Sequence, residues 1–599
     1  MREYTSAPTF TVMDHENAVL SVFAHAESNP DRVMYSRKES AGWVDVTAED
    51  FAALVTGVAK GLIAIGVRPG DRVALLSSTR FEWSLLDYAI WAAGAASVPI
   101  YESSSPDQIR WIIEDSGAVA ALVETAAHAS SFAGDGIPYT LKRILTIDDD
   151  AVGTLIKDGR SIDDGEVFDR VLALTAEDLA SLVYTSGTTG RPKGCILTHR
   201  NFLSEVRALL AASIGDVARP GNSVLMFLPL AQVLARAVSL AMFEAGATQV
   251  HLPDFGVITS EFERFQPTTI LGVPRVFEKV RGGAARKAVS GGRLKRRIFE
   301  FAEDTAIAWS EASDNDDLSL RLRFERALAD MLVYSKLRAS LGGHCWWAIS
   351  GGGALVPSFG HFFRGIGVPV YEGYGLTEST AAHCANIPGA QKIGTVGKPL
   401  GGNSVRIAAD GEIELHGSVV FGGYWRNEKA TAEAFDDGWF RTGDLGNLDE
   451  EGYLTVTGRK KDLMVTAGGE NVSPGPLEDR LRAHPLVSQA VVVGDGRPFV
   501  GALLTVDPQE FEEWKSLHGK PSEASVIDLR DNEDLRGDLQ DAVDDANTVA
   551  SHTTSIKRFV ILDRDLTEAD GDLTATLKIK RRVVTERFAD DIASLYRRG

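Results

Sequence analysis

Cysteine is scarce in this chain: Cys195, Cys345 and Cys384 are the only three in 599 residues. The number is odd and no two stand at metal-ligand spacing, which argues against a disulfide framework or a zinc site and fits a reducing compartment. Long hydrophobic runs are also missing. The most apolar stretch, LLDYAIWAAGAASVPI (85 to 100), carries Asp87 and is too short to span a bilayer. The opening MREYTSAPTF lacks the apolar segment of a signal peptide. Basic charge is in deficit, 62 Lys and Arg against 83 Asp and Glu, leaving a net charge of −21 and a pI near 5.1. That balance disfavours nucleic acid or anionic lipid as the main partner. A cytoplasmic protein with no nucleic-acid partner is the expectation.

What is present is ordinary in bulk, with 44% hydrophobic and 24% charged residues, so a folded globular chain is expected. Its length exceeds what one core supports and calls for two or more domains. Leu54, Val58, Leu62 and Ile65 recur at helical spacing, and RVALLS (72 to 77) follows as a short apolar strand. A helical RFEWSLLDYAIWAAGA and an extended SVPIY come next. This alternation predicts α/β layering on mostly parallel sheets. Residues 281 to 340 break the rhythm. They are helix-prone and begin with RGGAARKAVSGGRLKRR, which reads first as a solvated helical insertion and alternatively as a contact with a membrane surface. The pattern restarts after TGRKKD (457 to 462), which predicts a C-terminal domain of normal size. Within it the acidic stretch 507 to 548 reads as solvated surface.

The chemistry concentrates first in YTSGTTGRPKG (184 to 194). Leu182 to Tyr184 read as a buried strand end and Thr185 to Gly190 as a tight turn. Glycines let backbone approach an anion, N–H groups and Ser or Thr hydroxyls donate to phosphate oxygens, and Lys193 adds a positive charge. The Walker pattern does not fit, because Pro192 precedes the lysine and Gly194 follows it. SGTTG alone would be a generic glycine-rich turn.

Further motifs follow in order: SGGGAL (350 to 355), YEGYGLTES (371 to 379), DGWFRTGDLG (437 to 446), GRKKDLMVTAGGENVSP (458 to 474) and LTATLKIKRR (573 to 582). Together with the loop they span nearly the whole chain, which resembles the adenylate-forming superfamily of acyl-CoA synthetases, luciferases and peptide-synthetase adenylation domains. The resemblance implies an α/β fold, with a large N-terminal domain (1 to 458) of layered α/β subdomains plus a small β-barrel part. A small mobile α+β C-terminal domain (459 to 599) completes it. ATP, Mg²⁺ and coenzyme A are the implied cofactors and co-substrates.

The resemblance also implies roles. Thr185, Ser186, Gly187, Thr188, Thr189, Gly190 and Lys193 would cradle the β- and γ-phosphates. Gly351, Gly352 and Gly353 offer a flat backbone surface and Tyr374 an aromatic face for adenine, with Glu372, Gly373, Gly375 and Thr377 counted among the nucleotide contacts. Glu378, an acid in a phosphate-attracting site, makes sense only with an intervening cation, and with Thr185 would hold Mg²⁺. Asp444 would accept from the ribose hydroxyls beside Arg459, and Lys578 would reach the α-phosphate and carboxylate. Lys461 is the implied hinge, and Gly468 and Gly469 would let the pantetheine arm pass.

LPLAQVLARA, GVPRVFEKV, the 281 to 340 insertion and LKIKRR resemble the bacterial long-chain acyl-CoA synthetase branch. Val233, Leu234, Val273 and Phe277 are candidates for an acyl tunnel, with ordinary core as the alternative. Two positions depart from the wider family: Gln232 stands where histidine is common, and Leu577 precedes Lys578 where glycine is common. Gln232, counted among the catalytic candidates, keeps hydrogen-bonding capacity but cannot become cationic. The expected activity is long-chain fatty acid–CoA ligation through acyl-AMP, by a monomer or homodimer with peripheral membrane contact left open. A fatty acyl-AMP ligase loading a carrier protein is the alternative, and a silent nucleotide- or lipid-binding protein the remote one.

Overall fold

Strand Arg72–Leu76 is an unbroken apolar run after its first residue because both of its faces are covered. Val73 and Leu75 enter one core, Ala74 and Leu76 another, the period-two alternation expected of a parallel sheet under two layers of helix. In the computed structural model it lies within a six-stranded sheet of order Arg143–Thr146, Ala120–Val123, Arg72–Leu76, Ala96–Ile100, Leu179–Thr185 and Lys193–Thr198. The first five run parallel, and the last turns back antiparallel. The structure describes residues 1–599 except 40–41, 133–139, 186–190, 213–214, 216–217, 254–257, 291, 316, 575–577 and 598–599. Ser186 to Gly190 of the phosphate loop, and Leu577, therefore lie outside the described residues.

A second sheet has nine strands, with a parallel centre from Val370–Tyr374 through Trp347–Ser350, Thr269–Gly272, Ser223–Met226 and Thr248–His251 to Val33–Glu39. Its edges are antiparallel. One buried ion pair ties the two sheets. Arg236, on helix Val233–Glu244, donates to Asp87 at 2.7 and 2.9 Å, to Ser181 Oγ at 2.7 Å and to Ser97 Oγ at 2.8 Å. Its guanidinium also sits over Trp83, Trp91 and Phe202. Removing one partner would leave an uncompensated buried charge, so the pair locks this helix to the strand that feeds the phosphate loop.

The part expected as a small barrel is a six-stranded antiparallel sheet, in which strand Trp439–Leu448 pairs with Leu454–Arg459. Beyond it a small C-terminal domain builds its own core from Leu477, Leu481, Val492, Ala502, Leu539 and Phe559 around a three-stranded sheet. Two surface expectations hold for one face of the helices concerned, while the other face is core. Helices Pro508–Leu517 and Glu533–Asn547 of the acidic stretch bury Phe511, Trp514, Leu535, Leu539 and Ala542 on one face, and Glu510 is taken up in an ion pair with Arg286. In the insertion, helix Arg293–Asp314 buries Phe299, Ala302 and Ala306, and a Cβ at Gly365 would fall 2.2 Å from Ala306 O. A glycine there lets helix Pro357–Gly365 approach it directly. Among the described residues no helix is long and apolar enough to cross a membrane.

Candidate active site

The described residues of the phosphate loop end the strand Leu179–Thr185 and resume before Lys193, which opens the antiparallel strand Lys193–Thr198. Thr185 and Lys193 face each other in register, with Thr185 Oγ1 3.5 Å from Lys193 O. Lys193 is therefore aimed by strand pairing, where a P-loop lysine is aimed by a helix. Its Nζ stands 4.0 Å from the centre of the Tyr424 ring. The Tyr424 hydroxyl in turn donates to Glu378 Oε1 at 2.9 Å. Burial and Glu378 push the Tyr424 pKa well up, so the phenol stays protonated and remains a donor. Lys193, Tyr424 and Glu378 thus form one wall. No sequence motif marks Tyr424, because an aromatic beside glycines in FGGYW looks like ordinary core.

Glu378 sits in the short 3₁₀ turn Thr377–Ser379 that follows strand Val370–Tyr374. Its carbonyl accepts from Phe421 N at 2.8 Å. Glu378 offers one carboxylate and Thr185 one hydroxyl, a donor set whose chemistry fits magnesium, which takes one or two protein oxygens and completes its shell with phosphates and water. Among the described residues no group of three or more His, Cys, Asp or Glu offers an all-protein metal cage.

A second wall is set by hairpin register. Asp444 and Arg459 are cross-strand partners, joined by Arg459 Nε to Asp444 Oδ1 at 3.0 Å, and the Tyr374 hydroxyl donates to Asp444 Oδ2 at 2.8 Å. Lys578, on the C-terminal domain, faces this pair. Enclosure in the cleft and then Arg459 lower its pKa, while Asp444 pulls it up. The Lys578 side chain retains solvent contact, and its backbone is held by paired bonds with Thr574, at 3.0 Å to Oγ1 and 2.8 Å from N. Lys461 feels the same surroundings, lowered by burial and Arg459 and raised by Asp462, Asp444 and Glu378.

The turn after strand Trp347–Ser350 lies at the carboxyl edge of the parallel sheet, where α/β proteins bind ligands. Gly351 is buried and closely covered, whereas Gly352 is exposed. A Cβ on Gly351 would meet Leu234 Cδ2 at 2.8 Å, and one on Gly352, at φ 78°, would lie 3.7 Å from Gln232 Nε2 and 3.8 Å from Val273 Cγ1. Gln232, Leu234 and Val273 border this turn, whereas Val233 and Phe277 are buried, Phe277 edge-on to Phe363. The Glu372 carboxyl accepts from Leu355 N at 2.9 Å and so braces SGGGAL from behind, with burial and Asp479 raising its pKa to about 8. Gly373 and Gly375 continue the same strand edge. Gly468 and Gly469 lie in the open C-terminal loop, where a Cβ added to Gly469, at φ 84°, would meet nothing within 4 Å.

Lys193 with Tyr424 and Glu378, and Asp444 with Arg459 and Lys578, thus make two polar clusters, and Lys461 lies within electrostatic reach of both through Glu378 and Asp444. The family model for the AMP-binding enzyme matches residues 22–425 and that for its C-terminal domain residues 461–599, and the chain belongs to this adenylate-forming family. Among particular relatives, the chain is 50% identical over 600 residues to long-chain-fatty-acid–CoA ligase FadD15 of Mycobacterium bovis and 49% identical to FadD15 of Mycobacterium tuberculosis, each match covering 100% of both chains. The adenylation domain of a carboxylate reductase from Mycobacterium chelonae shares the fold with a TM-score of 0.74 at 19% identity, over 97% of this chain and 91% of that one.

Proposed function

We propose that this chain activates a long-chain fatty acid with ATP to acyl-AMP and passes the acyl group to coenzyme A, releasing AMP and pyrophosphate. The arrangement that carries the first step is the pair of clusters Lys193–Tyr424–Glu378 and Asp444–Arg459–Lys578, bridged electrostatically by Lys461. The long acyl chain and the coenzyme A acceptor are supported by the full-length 50% identity to a ligase of that name. Alternative loading of a carrier protein is separated by one assay.

The fatty carboxylate is already ionised at neutral pH, so the reaction needs no protein nucleophile. Its oxygen bonds to the α-phosphorus, the α–β anhydride bond breaks, and pyrophosphate leaves. The barrier is charge, and oriented cations and donors lower it. Lys193, backed by Tyr424, takes the departing pyrophosphate side. Lys578 approaches the α-phosphate and carboxylate, while Asp444 and Arg459 hold the ribose. Mg²⁺ bound by Glu378 and Thr185 would supply charge neutralisation to the phosphates. For the second step the segment 459–599 rotates about Lys461, withdrawing Lys578 and presenting the Gly468–Gly469 loop to pantetheine. The thiol sulfur then bonds to the acyl carbon, the acyl–phosphate C–O bond breaks, and the thiol proton leaves to solvent.

A membrane surface is the proposed source of substrate. On helix Leu320–Ala329 and the turn after it, Leu320, Phe324, Leu328 and Met331 are 83, 71, 36 and 67% exposed. Steps of four, four and three residues place them on one stripe, with Arg321 and Arg323 at its flanks. The opposite face buries Ala329 and Tyr334. Apolar side chains rimmed by arginine match an anionic bilayer, in which a long-chain acid resides.

The functional test is purified protein with ATP, Mg²⁺ and labelled palmitate, with and without coenzyme A. Palmitoyl-CoA and AMP are expected. Acyl-AMP accumulating despite coenzyme A would replace this reading with the carrier-protein one. For the surface, co-sedimentation with phosphatidylglycerol vesicles should be lost in Phe324→Glu, and equal binding of that variant would remove the stripe from the account.

A further inference from the structure

Glu205 has no place in the chemistry above, yet its surroundings are those of a working part. It lies on helix His199–Ala211, which starts from Thr198 at the end of the Lys193 strand, with a capping box to Asn201. The side chain is fully buried. Oε1 accepts from Ala382 N at 2.8 Å, and Oε2 is buried with no hydrogen-bond partner among the described residues.

The backbone that Glu205 grips is strained. Thr380 and Ala381 adopt φ of 60° and 142°, conformations unfavourable for side chains with a Cβ. The chain folds back so tightly here that a Cβ on Gly375 would fall 1.5 Å from Ala381 O, which explains the glycine in YEGYGL. Strain of this kind persists only where its neighbours hold it. Three ties do so: Glu205 to Ala382 N, Thr380 Oγ1 to Val419 O at 2.5 Å, and Ser379 Oγ from Leu376 N at 2.9 Å. The same helix makes a second reach, from Asn201 Nδ2 to Ser418 O at 2.8 Å, beside the segment whose Phe421 bonds Glu378 O.

We infer that Glu205 is a positioning residue: it clamps the strained Ser379–Ala382 turn so that Glu378 stays aligned with Tyr424 and Lys193. One helix thereby couples the strand that aims the phosphate lysine to the turn that aims the acid. The inference rests on the reading of Glu378 as the ATP-side acid, so the experiment separates the two.

Acyl-AMP formation is followed by pyrophosphate release across a range of Mg–ATP concentrations, and the thioester step by conversion of supplied acyl-AMP with coenzyme A. Glu205→Met removes the acceptor at similar volume, Glu205→Gln keeps it, and Thr380→Val cuts the second tie independently. The Met and Val variants should raise the KM for Mg–ATP roughly tenfold while the thioester step holds within about twofold and Gln restores the wild-type KM. Retained thioester activity also certifies the fold of each preparation. Loss of both half-reactions together in Met and Val, or of neither, overturns the inference. Glu378→Gln in the same assay serves as the reference. If it leaves pyrophosphate release unchanged, the reading of Glu378 fails. If it lowers release while Met and Val do not, the clamp alone fails.

Discussion

Replacing Tyr424 tests the least obvious component of the site, because its two contacts can be removed one at a time. Tyr424→Phe keeps the ring 4.0 Å from Lys193 Nζ and deletes only the 2.9 Å bond to Glu378. A hydrogen bond to a charged group contributes about 1.5 kcal/mol or more, and at about 1.4 kcal/mol per factor of ten this predicts a roughly tenfold fall in kcat/KM for acyl-AMP formation. Tyr424→Leu also removes the cation–π contact, about 1 kcal/mol for a half-buried pair, so the fall should approach roughly fiftyfold. In a Lys193→Met background, where the ring has no cation to face, Leu should fall no further than Phe, both losing only the bond to Glu378. Pyrophosphate release with palmitate measures each value, and conversion of supplied acyl-AMP should hold within about twofold in every variant. The reasoning is refuted if Phe behaves as wild type, or if the thioester step drops in parallel.

Lys578→Ala should lower acyl-AMP formation by at least about a hundredfold yet leave thioester formation from supplied acyl-AMP intact, since only the first step needs a cation at the α-phosphate. Equal loss in both steps would rule out domain rotation. Arg275 joins the two domains through Asp507 Oδ2 at 3.1 Å and Ser488 Oγ at 3.4 Å, beside the Arg286–Glu510 ion pair. Arg275→Ala should therefore weaken this domain arrangement and slow acyl-AMP formation more than thioester formation, and a reversed ratio would contradict it. Glu205 and Glu372 hold protons in the folded state up to about pH 8, against 4.5 for the ordinary carboxyl, because burial penalises the charge. The folded state binds more protons than the unfolded chain in that window, so stability falls as pH rises from about 4.5 to about 8 and levels off above it. Glu205→Gln, with nothing to titrate, should show a shallower fall in Tm between about pH 6 and about pH 8, and an unchanged slope would place the carboxyl outside this account.

The strands and helices of the N-terminal domain are legible in the sequence because their signals are local. Arg72–Leu76 is apolar after its first residue, and Ala48–Ala64 repeats at helical spacing. The acidic stretch 507 to 548, exposed over much of its length, is legible only in part for a related reason. Its charge is conspicuous along the chain, while Phe511, Trp514, Leu535 and Leu539 converge only once the helices form.

For the site, the ordered motifs carry the residues that ligand chemistry demands, since phosphate, ribose and a cation each constrain short stretches of backbone. Lys193, Glu378, Asp444, Arg459 and Lys578 can each be named from such stretches. What joins them cannot, because it depends on long-range placement. Tyr424 meets Glu378 from 46 residues away, and Glu205 meets Ala382 from 177. An isolated tyrosine or glutamate carries no mark of its distant partner. By itself the sequence determined which chemistry is available; only the tertiary structure decided which side chains aim it, because strain at Thr380 and Ala381 and the burial of Glu205 exist nowhere but in the folded chain.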